Sequence, residues 1–182
     1  MAEECWFYRT EEEWTKLVER LKLTPCPHCQ HVGRLIRHGC LVGYDESQRQ
    51  CLRARRIYCS NRHSRDGCGR TISVWLADKI RRLSLSTHAV WRFLQQAIAG
   101  SIAAATRSMT ESERSDRTWQ RLWKRFQLAQ STLRTALLKR CLPPPMSAER
   151  PEAQVIAHLQ AAFPQADCPL AAYQHASRLF CL

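Results

Sequence analysis

Long apolar runs are missing from this 182-residue chain. No window approaches the ~18 consecutive apolar residues of a membrane-crossing helix, so no membrane segment is expected. The opening stretch "MAEECWFYRTEEEW" lacks the basic-then-apolar order of a secretory signal. An intracellular protein is therefore expected, in a compartment where thiols stay reduced. Ten cysteines in such a compartment point to metal ligation before disulfides. Glycine is sparse too, with six residues and none beyond Gly100, which fits a helical C-terminal part. Internal repeats and low-complexity segments are absent, and a hydrophobic content of 45% excludes wholesale disorder.

Acidic residues are scarcest where basic ones crowd. Between Arg49 and Arg140 there are 20 Lys+Arg against 5 Asp+Glu, and 17 of the 20 are arginine. A basic middle between near-neutral or acidic flanks suggests a polyanion, most simply nucleic acid. Arginine's planar fork suits phosphates and guanine edges better than lysine does.

Thr10 to Glu13 reads as a capping box, with Trp14, Leu17, Val18 and Leu21 forming the apolar stripe of a helix over residues 11–22. Short β-prone pieces follow at 34–37, 40–44, 52–58 and 71–76, interspersed with glycines. Helices are predicted over 86–99, 101–108 and 115–141, the last capped by Ser115 and stopped by "CLPPPM". After a proline linker come helices over 151–163 and about 169–180. The expected class is α+β, a small zinc-ribbon sheet followed by a mostly helical, helix-turn-helix-like domain. The expected units are 1–24 (N-terminal helix), 25–78 (ribbon), 79–142 (three helices) and 143–182 (linker and last helices).

The segment "IYCSNRHSRDGCGRT" is too polar to form a core, yet it holds Cys59 and Cys68. Upstream, "TPCPHCQ" supplies Cys26 and Cys29. Two cysteine pairs facing each other across a small sheet give the four soft ligands of a structural zinc site. One Zn2+ per chain is expected, and metal binding would supply the folding free energy that apolar residues do not. Eight residues separate Cys59 from Cys68, so "SNRHSRDG" is expected to bulge out as a basic loop, with His63 as an alternative ligand. Cys40 and Cys51 are expected in the core. Cys5, Cys141, Cys168 and Cys181 have no partner spacing and read as structural.

In the helix over 115–141, Trp119, Leu122, Trp123 and Phe126 form an apolar stripe. Arg117, Gln120, Arg121, Lys124 and Arg125 crowd the same turns, and no acid occurs between Arg117 and Arg140. In a helix-turn-helix the corresponding helix opens onto base edges. These residues are therefore the expected DNA readers, with Arg62, Arg65 and Arg70 of the basic loop lying along phosphates.

"CPHC" followed by "RxYCxN…GCGRT" and a helical region resembles the zinc-ribbon and helix-turn-helix DNA-binding parts of bacterial insertion-sequence transposases, over roughly residues 25–140. The resemblance implies that Cys26, Cys29, Cys59 and Cys68 hold zinc and that the helices bind element ends or a target. It also implies a bacterial, nucleoid-associated protein. The acidic constellation of such a catalytic domain is missing: after Gly69 the acids are Asp78, Glu111, Glu113, Asp116, Glu149, Glu152 and Asp167, with no β-rich stretch to converge them. The expected function is thus a non-catalytic, zinc-dependent double-stranded DNA-binding protein, an accessory or targeting factor of a mobile element. Its expected protein partner is a recombinase, reverse transcriptase or other mobile-element protein. The alternatives are an RNA-binding subunit of a ribonucleoprotein and a transcriptional regulator.

Overall fold

The computed structural model describes residues 6–63, 66–109, 115–145 and 150–182. Cys5, Arg65 and the stretch 110–114 before the long helix lie outside the described residues. The fold is α+β. Its elements are β1 (Trp6–Tyr8), α1 (Glu11–Arg20), β2 (Leu35–Tyr44), β3 (Gln50–Cys59), β4 (Thr71–Leu76), α2 (Thr87–Ala99), α3 (Ile102–Met109), α4 (Asp116–Leu138), α5 (Pro151–Ala162) and α6 (Pro169–Ser177). The strands form one sheet in the order β1-β4-β3-β2, antiparallel except for the parallel β1–β4 pair.

Two differences from the sequence reading concern the sheet. The pieces at 34–37 and 40–44 are one strand, β2, interrupted in register between Arg37 and Gly39. His38 is the extra residue there, and Gly39 carries a φ of 134°, a conformation open to glycine. The N-terminal segment is more than a helix: β1 extends the sheet, and Trp14 and Leu21 pack into the sheet core with Tyr8, Leu35, Ile57 and Val74. A three-residue strand is too short to show a period of two, which is why its sequence carries no signal. The capping box is half formed. Thr10 Oγ1 accepts the Glu13 amide at 3.3 Å, but the Glu13 carboxylate takes the amide of Arg9, at 2.8 Å.

The helices share a second core, built on Val90, Phe93, Leu94, Trp119, Leu122, Phe126, Leu133, Leu159 and Tyr173. Phe93 and Trp119 stack with ring centroids 4.9 Å apart. Ser115 stands at the N-cap of α4, yet its hydroxyl meets Thr118 Oγ1 at 3.3 Å and caps no amide.

Polar fixtures join the halves. Gln174, fully buried on α6, donates to the Ala77 carbonyl at 2.8 Å and the Lys79 carbonyl at 3.0 Å, and its own carbonyl accepts the Cys181 amide at 3.2 Å. Arg53, only 7% exposed, is the extra residue of a bulge in β3. It donates to the carbonyls of Tyr44, Ile80 and Leu83, bracing the connection from β4 to α2. Phe180 closes over Phe7 and Trp75.

Candidate metal centre

The first cysteine pair lies in a tight turn held by its own backbone. Gln30 donates to the Cys26 carbonyl at 2.8 Å, and Cys26 donates to the His31 carbonyl at 3.0 Å. Gln30 takes a left-handed φ of 62° to close that turn. The second pair stands at the neck of a loop. Cys59 ends β3, and its amide and carbonyl pair with the Arg70 carbonyl (2.9 Å) and the Gly69 amide (3.0 Å). Gly69 has a φ of 70°, and a Cβ at Gly67 would fall 2.1 Å from the Ser60 carbonyl oxygen, so neither position accepts a side chain without strain or collision. These two glycines let the eight-residue insertion leave and return while Cys68 faces Cys59.

The turns are tied together outside the cysteines. Arg34 pairs with Asp66 at 3.2 Å, and the His31 ring bonds through Nδ1 to the Asp66 carbonyl. Ser60 donates its amide to the Arg34 carbonyl at 2.8 Å.

All four sulfurs of Cys26, Cys29, Cys59 and Cys68 lie within 4.8 Å of one another. Cys26 and Cys68 approach to 3.8 Å, Cys29 and Cys59 to 3.6 Å. These separations are far beyond an S–S bond, which is about 2.05 Å. Four thiolates ~2.3 Å from a central ion form a tetrahedron with edges of about 3.8 Å, so the spacing fits a metal ion. Cys26 and Cys59 are completely buried, whereas Cys29 and Cys68 are half-buried. The cluster thus has one side in the sheet core and one near the surface. The backbone amide of His31 draws the Cys29 thiol down to about 6, while burial pushes Cys59 up to about 12. A cation is what would hold a buried thiol such as Cys59 as its thiolate. The cysteines can hold a metal ion, and His63, the alternative ligand, is exposed and outside the cluster.

The other cysteines divide. Cys168 and Cys181 are buried in the helical core and Cys141 packs against it. Cys40, expected in the core, is exposed, and Cys51 is half-buried. β2 is an edge strand whose residues beyond Ile36 lie mostly in solvent, so a place on a strand does not bury a side chain there.

The basic residues divide as well. Arg117, Gln120, Arg121 and Lys124 are exposed on α4, with Arg125 half-buried beside them, and Trp119, Leu122 and Phe126 buried on the opposite side. In the loop, Arg62 is exposed with its guanidinium 5.7 Å from the Tyr58 ring centre, and exposed Arg70 reaches the His28 ring at 3.4 Å. The loop arginines sit on the sheet half and the α4 group on the helical half. Other arginines of the basic middle belong to the scaffold, which composition could not reveal. Arg55 bonds Tyr8 Oη at 3.2 Å and Glu11 at 2.6 Å and lies over the Trp14 ring at 5.1 Å. Arg134 donates to the Pro151 carbonyl and Arg140 to the Ala162 carbonyl. Period-two placement is the signal that could have found Arg55: it shares a face with Ile57 and Cys59, the inward residues of β3.

No protein-family model, curated protein or solved structure matches this chain.

Proposed function

We propose that this chain is a non-catalytic, zinc-dependent double-stranded DNA-binding protein that serves a mobile genetic element as an accessory or targeting factor. The observation that carries this reading is the outward face of α4. Arg117, Gln120, Arg121 and Lys124 are exposed together, while their apolar neighbours hold the helix in the core. A buried stripe backing an arginine-rich face is what a helix needs in order to be offered rigidly to a groove. Four thiolates fill a tetrahedral zinc shell and leave no position for water, so the metal's part is structural. The mobile-element role rests on the ribbon motif alone. A recombinase or reverse transcriptase is the protein partner that fits it, and genes adjoining this one are the simplest check.

Fluorescence anisotropy with labelled duplex DNA tests the binding. Affinity should fall by orders of magnitude between ~50 and ~200 mM salt as condensed counterions are released. Arg117→Ala and Arg121→Ala should each cost ~1–3 kcal/mol on a preferred site. A flat salt titration overturns the reading, and preferential capture by structured RNA of equal length replaces DNA with RNA.

A further inference from the structure

The sheet has a second face that the helical half covers only in part. Register places Phe7, Trp75, Ala54 and Leu41 side by side, and Phe180 seals this end with its ring centre 5.0 Å from Phe7 and 5.2 Å from Trp75. Two residues along β3 the cover ends. Arg56 is exposed between Gly39 and Ser73, and half-buried Tyr58 follows between Ile36 and Thr71.

His38 completes this surface because it is out of register. It is the extra residue between the pairs Arg37–Ile57 and Gly39–Arg56, and such a bulge re-aims its side chain. Its ring lies 5.2 Å from that of Tyr58, inclined by 33°. The Tyr58 hydroxyl bonds Asn61 Oδ1, which holds the ring from its polar end, and the Arg62 guanidinium stands 5.7 Å from the ring centre. The three strands β2, β3 and β4 contain no acidic residue, and of their arginines Arg53 and Arg55 are committed inside the fold while Arg56 is exposed on this face. The acid of the adjoining loop, Asp66, is engaged by Arg34.

We propose that this half-face is a stacking platform for the unpaired bases of single-stranded DNA, with His38 and Tyr58 meeting base faces and Arg56 and Arg62 meeting phosphates. Aromatic rings beside Arg56 and Arg62, which pair with no carboxylate among the described residues, suit a single strand, whose bases offer their faces; in a duplex those faces are already stacked. The choice of DNA rests on the function proposed above, but the residues differ from those of α4, so the two can fail separately.

The test uses the full chain, loaded with zinc, and three labelled probes: oligothymidylate of about 12 nucleotides, duplex DNA of the same length, and oligouridylate. His38→Ala and Tyr58→Leu should each weaken oligothymidylate binding by about 5-fold to 100-fold, the range of one lost base–aromatic stack. Duplex affinity should change less than about twofold, and each variant should retain its metal. Oligothymidylate carrying 5-iododeoxyuridine should photo-crosslink to His38 or Tyr58 in the wild-type chain, a readout independent of either variant's folding. Crosslinks confined to α4, or unchanged oligothymidylate affinity in both variants, overturn the proposal. Tighter binding of oligouridylate than of oligothymidylate overturns the assignment to DNA.

Discussion

The two halves of this molecule are held together by different means. Among the described residues the helical core contains 24 buried ones, drawn from α2–α6 and their connections, and its two cysteines are packing residues. The sheet core contains eight of the described residues, and two of these, Cys26 and Cys59, belong to the sulfur cluster. One half has enough apolar surface to fold around, and the other has a candidate metal centre in its place. Arginines follow the same division. On the sheet, Arg53 and Arg55 are interior braces that answer backbone carbonyls and a carboxylate. On α4, Arg117 and Arg121 project into solvent and bond no side chain or carbonyl among the described residues. An excess of arginine is therefore a statement about partners only where the side chains are not already committed to the fold.

Removing the metal should separate the two halves most strongly. Cys26→Ser, or treatment with a strong chelator, should take bound zinc from about one equivalent to near zero. The sheet half should then lose its amide protection from hydrogen exchange while α2–α6 keep much of theirs, since metal ligation is worth ~10–16 kcal/mol in small zinc peptides. Uniform loss across both halves would show that they fold as one unit. Acid should act in the same direction, because protons compete for thiolates. Zinc should be held at neutral pH and released as pH falls, with Cys59 the ligand that burial most favours as a thiol.

The reverse experiment strikes the helical core. Trp119→Ala should destabilise the helices by ~3–5 kcal/mol and leave metal content unchanged, as read by thermal unfolding and elemental analysis. Coupling between the halves is a smaller effect. Gln174→Leu should strand the Ala77 and Lys79 carbonyls at ~1–3 kcal/mol and separate the two halves' transitions in a calorimetric scan. The smallest effect belongs to α4. Arg121→Ala should leave stability within ~0.5 kcal/mol, since its side chain is exposed, and should register only in duplex DNA binding.

Much of this organisation was legible in the residues. Proline and glycine placement and apolar spacing marked the six helices found among the described residues, whose observed ends lie within about three residues of those expected. Cys26-Pro-His-Cys29 and Cys59…Cys68 announced the sulfur cluster. What stayed hidden depended on register. β1 is too short to carry a pattern, and the bulges at His38 and Arg53 turn side chains away from the side that simple alternation assigns. The exposure of Cys40 has the same origin, since whether a strand lies at an edge is decided by sheet order, which local sequence does not encode.

The zinc K-edge X-ray absorption spectrum of the chain purified without added metal tests the four-cysteine site most directly. About one equivalent of zinc, surrounded by four sulfur scatterers at ~2.3 Å and no nitrogen, is the expected result. A first shell containing imidazole nitrogen, or a folded chain holding no zinc, would contradict the assignment of Cys26, Cys29, Cys59 and Cys68 as the metal site.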